Sequence, residues 1–108
     1  MSQHVKVIKL NENLNAETSP KFQQEVAQIL GSDVETVLVD CQNITFLDSS
    51  GLGSLVLAFK TLRNANIEMV LCSVKEEVKM IFELTSMSEI IDIFPNENAF
   101  HEGALATN

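Results

Sequence analysis

A short β-branched run followed, across a polar turn, by an amphipathic helix dominates residues 36–63 of this chain. Val37, Leu38 and Val39 are apolar without alternation, as a parallel strand covered on both faces requires. After a connection over residues 43–47, Leu52, Leu55, Val56, Phe59 and Leu62 recur at the three- and four-residue spacings that put side chains on one face of a helix. Between strand and helix lies Asp48-Ser49-Ser50-Gly51-Leu52-Gly53, a polar, glycine-bearing turn at the exposed N-terminal end of that helix. Function is expected there.

The rest of the chain alternates in the same way. Residues 5–10 mix apolar residues with Lys6 and Lys9, the pattern of an edge strand whose lysines discourage stray pairing. Ser19-Pro20 marks a helix start, with serine as the cap and proline in the first turn. It predicts a helix over 20–30 that buries Phe22, Val26, Ile29 and Leu30 and is closed by Gly31. Residues 67–72 predict an interior strand. Ser73 with Glu76 three residues on has the form of a capping box, and Val74, Val78, Ile81 and Phe82 give the apolar face of a helix ending near Leu84. Residues 90–94 predict a last strand stopped by Pro95. Asn96 then caps a terminal helix carrying Ala99, Phe100 and Leu105, and the final residues are expected to fray.

This alternation predicts an α/β fold with a central, mainly parallel sheet of about four strands and about four helices, because each parallel pair needs a crossover. The turns leaving the carboxyl ends of such strands form the usual functional edge. At 108 residues there is room for one core and not two, so residues 1–108 are read as a single domain. With seven Lys and Arg against fifteen Asp and Glu, the net charge of −8 repels nucleic-acid phosphates and anionic lipid surfaces. The expected partner is a protein or a small molecule, with no nucleic acid and no membrane. Cys41 and Cys72 lack metal-ligand spacing and are read as buried, reduced thiols. No run approaches the ~20 apolar residues of a membrane span, and no basic stretch leads an apolar one, so a soluble, cytoplasmic protein is expected.

Three chemistries compete for the central turn. Gly51-Leu52-Gly53 between strand and helix suggests nucleotide binding, but the fingerprint asks for a third glycine where Val56 stands. A serine nucleophile needs a base within reach, and the histidines are His4 and His101, near the two termini. Neither a catalytic residue nor a cofactor is expected. The third chemistry is modification: a phosphate on a serine in the first helical turn faces free N–H groups and the positive end of the helix dipole. Its added charge of about −1.5 to −2 opposes docking on an already acidic surface, so phosphorylation switches binding rather than fold. Plain capping by Asp48, Ser49 or Ser50 stands beside this reading. Two glycines exceed what a cap needs, weaken the first turn and leave a low surface open to close approach, which suggests a contact site.

The stretch Phe46-Leu47-Asp48-Ser49-Ser50-Gly51-Leu52-Gly53, after the strand at Val37, Leu38 and Val39 and before an apolar helix, resembles the signature of the STAS domain, specifically that of the bacterial anti-sigma factor antagonists. Residues 14–20 are similar to the segment entering the family's first helix, and residues 67–94 follow its later strand, helix and strand. The resemblance implies a STAS-like fold and a non-enzymatic protein that binds an anti-sigma factor with an ATPase-like kinase fold. That kinase phosphorylates the serine directly after the aspartate, here Ser49. A serine phosphatase restores the binding form, and the free antagonist releases a sigma factor by occupying its inhibitor. Asn15, Asp48, Ser50, Gly51, Leu52 and Gly53 are the implied partner contacts. The alternative is a STAS module that is never phosphorylated and serves as an assembly subunit of a transport or signalling complex. Two departures from the family stand out. Asn15 occupies a loop position where the family usually has Asp, which implies altered partner contact there. About ten residues precede the Asn-rich loop where the family usually opens with two strands, which implies an absent or shortened edge strand.

Overall fold

The computed structural model describes residues 4–106, with side chains through residue 103. In chain order the elements are β1 (Val5–Lys9), α1 (Ser19–Ile29), β2 (Thr36–Asp40), α2 (Ser49–Asn64), β3 (Glu68–Cys72), α3 (Glu76–Leu84), a 3-10 turn (Met87–Glu89), β4 (Ile93–Phe94) and α4 (Glu97–Ala106). The four strands form one wholly parallel sheet in the order β1-β2-β3-β4. Val7 pairs with Leu38 and Leu38 with Val70 in this register.

Every residue of β2 is buried, which fits its unalternating apolar run at an interior position. Sequential strands lying side by side, joined by right-handed crossovers, put the three intervening helices on one face of the sheet. That face holds the main core, where Phe22 and Val26 of α1, Leu55 and Leu62 of α2 and Val78 and Phe82 of α3 meet Val37, Val39, Met69 and Leu71. The opposite face carries Leu38, Val70 and Cys72 beneath Phe100 of α4. Phe94 meets Phe100 edge-on, ring centroids 5.4 Å apart. β1 is an edge strand, as its lysines indicated.

The structure corrects several local expectations. Ser19 is the first residue of α1 and not its cap; Thr18 holds that position, and the buried Ser19 hydroxyl has no partner among the described residues. Leu30 lies past the last helical turn in an extended conformation and is exposed, while Gly31 takes the left-handed conformation at φ 83°. Ser73 does not cap α3. Its φ of 59° turns the chain sharply after β3, and Lys75 precedes the helix, with the N–H of Lys79 donating to the Lys75 carbonyl at 2.8 Å. The last strand shrinks to Ile93–Phe94 because the N–H groups of Ile90 and Ile91 both donate to the Met87 carbonyl, each at 3.0 Å, and so do not join the sheet. Asn96 does cap α4, its Oδ1 accepting the Ala99 N–H at 2.8 Å. The Leu105 side chain and the final residues lie outside the described part.

Candidate functional site

The carboxyl ends of β1 and β2 open into two loops that are tied side by side. The Leu10 N–H donates to the Asp40 carbonyl at 3.1 Å where the strands part. Further out, Asn13 clasps the second loop: its Oδ1 accepts the N–H groups of Thr45 at 2.8 Å and Phe46 at 3.4 Å, and its Nδ2 donates to Thr45 Oγ1 at 3.3 Å. Leu14 and Leu47, one from each loop, are buried beneath this clasp.

Asp48 then caps α2 from an extended conformation. Its Oδ1 accepts the Gly51 N–H at 2.8 Å and its carbonyl accepts the Leu52 N–H at 2.9 Å. The carboxylate is thereby turned toward the helix, its charge set against the positive end of the dipole. Ser49 and Ser50 form the first helical turn, both exposed, and their backbone N–H groups have no acceptor among the described residues. Asp48 supplies the cap, and the two exposed serines that follow make no side-chain hydrogen bond among the described residues.

The two glycines also divide. Gly51 is buried, and a β-carbon on it would collide with the Leu14 carbonyl and with Leu47 Cδ1. Its missing side chain serves a close approach inside the protein, which corrects the expectation that it lies open to a partner. Gly53 is exposed, with nothing within 4 Å of the place a β-carbon would occupy. Leu52 is half-buried and packs against the main core.

Asn15 follows directly on Leu14 and so belongs to the same rim as Ser49. Its Oδ1 accepts the N–H groups of Glu17 at 2.9 Å and Thr18 at 3.1 Å, and its carbonyl accepts the Ser19 N–H at 2.8 Å. The amide therefore shapes the turn that enters α1, an acceptor role that a carboxylate fills equally well. Thr18 locks the same turn by donating its hydroxyl to the Asn13 carbonyl at 2.8 Å. Behind the rim, Gln23 of α1 donates to the carbonyl and the hydroxyl of the buried Ser54 in α2, both at 2.8 Å, and fixes the two helices to each other.

Asn13, Leu14 and Phe46 are not among the contacts expected from the sequence, although Phe46 opens the signature stretch and Leu14 the segment that enters the first helix. The Asn-rich loop was visible, but not which of its asparagines reaches across to Thr45. Phe46, 60% exposed in a loop directly before the Asp48 cap, is an apolar side chain with no internal use.

Other chemistries find little support in this geometry. The cavity beside the rim, lined by Leu10, Leu14, Lys21 and Phe22 among others, holds about 40 Å³, far short of the several hundred a nucleotide-sized ligand needs. His4 pairs with Asp33 at 3.1 Å and His101 with Glu97 at 3.2 Å, so neither is the hydrogen-bond partner of a serine in the turn. Among the described residues no cluster of three or more His, Cys, Asp or Glu is placed to hold a metal. Cys41 and Cys72 are free and buried; burial above all, with the Cys72 and Asp40 charges adding to it, pushes the Cys41 thiol up to about 12. Burial raises Cys72 as well. No described helix is long and apolar enough to cross a membrane.

Comparison with known proteins agrees with this architecture. The model of the STAS domain family matches residues 1–99. The anti-sigma-B factor antagonist of Listeria monocytogenes is 31% identical over 90 residues, covering 83% of this chain and 78% of that protein. A crystal structure from Thermotoga maritima, described as that of an anti-sigma factor antagonist, superposes with a TM-score of 0.85 at 22% identity, covering 95% of this chain and 89% of the other. The phosphorylated form of the Bacillus cell fate determinant SpoIIAA superposes at 0.70 with 16% identity, covering 94% and 93%. With the family model matching residues 1–99, a fully parallel four-stranded sheet and a relative at this identity, the chain belongs to the STAS domain family and, within it, to the anti-sigma factor antagonists.

Proposed function

We propose that this protein is a phosphorylation-switched antagonist whose unmodified form binds an anti-sigma factor and thereby frees a sigma factor. It performs no chemistry itself. The partner is a serine kinase with an ATPase-like fold that modifies Ser49, a serine phosphatase reverses the step, and the exchange takes place in the cytoplasm. The observation that carries this reading is the division of labour at the start of α2. Asp48 supplies the cap, so the Ser49 hydroxyl is exposed, structurally unused and beside two unbonded N–H groups.

A phosphate there meets donors and a favourable dipole, which leaves the domain folded. The same phosphate confronts a partner with a doubly charged group where it had accommodated a neutral hydroxyl. Asn15, Asp48, Ser50, Leu52 and Gly53 surround that point and make the partner contact, with Gly51 supporting it from below. The names of the relatives and the phosphorylated form of SpoIIAA support this reading.

The test is incubation with ATP and the purified cognate anti-sigma factor, followed by intact-mass measurement. One phosphate is expected on the native protein and on Ser50→Ala, and none on Ser49→Ala. A phosphate that persists in Ser49→Ala would move the site elsewhere. No phosphate on any form would favour a constitutive assembly module.

A further inference from the structure

We propose that this protein has a second site, beside the N-terminal half of β3, that binds a free amino acid with an apolar side chain. Its residue from α2, Arg63, lies about 20 Å along the helix axis from Ser49, so the site does not depend on the proposed switch.

The site exists because β4 is short. Pairing between β3 and β4 begins at Leu71, opposite Ile93, and the chain before it turns away as Ile90 and Ile91 donate to Met87. Backbone groups along a strand point alternately to its two neighbours. The Glu68 N–H donates to the Glu35 carbonyl beside β2, and the Leu71 N–H to the Asp92 carbonyl beside β4. Met69, in step with Leu71, therefore aims its N–H and C=O at the β4 side, where no strand residue stands opposite it. Neither group has a hydrogen-bond partner among the described residues, although Met69 is buried. Buried backbone groups are rarely left so, and a donor and an acceptor here await a partner.

The space that opens there holds about 410 Å³ and is lined by Met69, Phe59, Arg63, Ile90, Glu68 and Asp92 among others. A cavity of about 180 Å³ adjoins it, sharing Phe59, Arg63 and Ile90 and adding Val56, Met87 and Ile91, with the exposed Lys60. Together they have the size of a small-molecule site.

The lining selects among ligands. The smaller cavity joins apolar walls to two cations, Lys60 and Arg63, and the larger one adds two carboxylates, Glu68 and Asp92. Arg63 lies over the Phe59 ring, 5.2 Å from its centroid, and forms no ion pair with either carboxylate. Charge within the site thus balances, in a chain whose net charge is −8, and this balance fits a zwitterion better than a simple anion or cation. An α-amino acid answers each feature. Its carboxylate accepts from the Arg63 guanidinium and the Met69 N–H, its ammonium donates to Asp92 and the Met69 carbonyl, and its side chain fills the apolar cavity beside Met87 and Ile91.

The test is calorimetric titration of the full chain with L-leucine and L-phenylalanine, accompanied by the nuclear resonance of the Met69 amide. At least one of the two is expected to bind at a single site and to shift that resonance. Arg63→Gln and Asp92→Asn alter exposed side chains and are expected to weaken binding at least about tenfold, the worth of one charged hydrogen bond, while melting with the native protein. The same molecules without the ammonium (isocaproate, hydrocinnamate) or without the carboxylate (isopentylamine, phenethylamine) are expected to lose as much. No saturable binding of either amino acid at millimolar concentration overturns the inference. So does native affinity in both Arg63→Gln and Asp92→Asn, or binding that leaves the Met69 resonance in place, since either puts the ligand elsewhere. A carboxylate alone that binds as tightly as its amino acid makes this a site for an apolar anion and also overturns it.

Discussion

The Leu14 carbonyl oxygen fills the space that a β-carbon on Gly51 would need. This one contact seats the loop after β1 on the first turn of α2 and brings Asn15 onto the same rim as Ser49. The glycine that resembled an open docking floor is therefore a joint between two loops, and the open floor is Gly53, half a turn further on.

The two glycines accordingly respond in opposite ways to substitution. Gly51→Ala forces a methyl group into backbone and is expected to cost about 1–3 kcal/mol or more, as overpacked sites do. Gly53→Ala meets nothing and gains about 1 kcal/mol from helix propensity. Melting curves are expected to move down by several degrees for Gly51→Ala and up for Gly53→Ala. Equal shifts of one sign would mean that Leu14 does not hold this joint.

Asn15 acts through its acceptor oxygen, which receives two backbone N–H groups. Asn15→Asp retains that oxygen and is expected to melt with the native protein. Asn15→Ala orphans both donors and is expected to lose about 1 kcal/mol, the usual net worth of a lost side-chain to backbone hydrogen bond. If Asn15→Ala melts as the native protein does, the side chain is free for a partner and the turn does not depend on it.

Much of the fold was legible in the sequence because period and punctuation agreed: the unalternating run at Val37, Leu38 and Val39, the helical spacing after Asp48, and Gly31 and Asn96 at their helix ends. Where punctuation misled, the backbone found another solution. Ser73 resembles a cap but takes a positive φ, and the expected strand at Ile90 and Ile91 gives its N–H groups to Met87. The site was legible as a stretch and illegible as a surface. Asp48, Ser49 and Ser50 could be named from spacing, whereas the role of Gly51 depends on Leu14, distant in sequence, and the Asn13–Thr45 clasp spans 32 residues. Long-range pairs leave no local periodicity to read.

The two thiols are expected to be inert in the folded protein. Burial holds Cys41 protonated up to about pH 12, whereas in the unfolded chain it ionises near 9.0. Between those values the unfolded state loses its proton and the folded state keeps it, so the stability this group contributes is present below the ordinary thiol range and falls as pH rises through it. Alkylation of Cys41 at pH 10 is expected to be negligible until denaturant is added. Rapid alkylation of native protein at Cys41 would contradict its burial.

The switch requires that a negative group on Ser49 be tolerated by the free domain and refused by the partner. The most direct measurement is a titration of the cognate anti-sigma factor, at one fixed salt concentration, with unmodified and Ser49-phosphorylated protein, alongside a melting curve for each. The dipole of α2 offsets repulsion from Asp48 by about 0.3–1 kcal/mol, so the two melting temperatures are expected to agree within a few degrees. Affinity is expected to fall by roughly a hundredfold or more, the cost of facing a desolvated interface with an unpaired charge. Phosphorylated protein that unfolds would make Ser49 a structural residue, and phosphorylated protein that binds with unmodified affinity would contradict the switch.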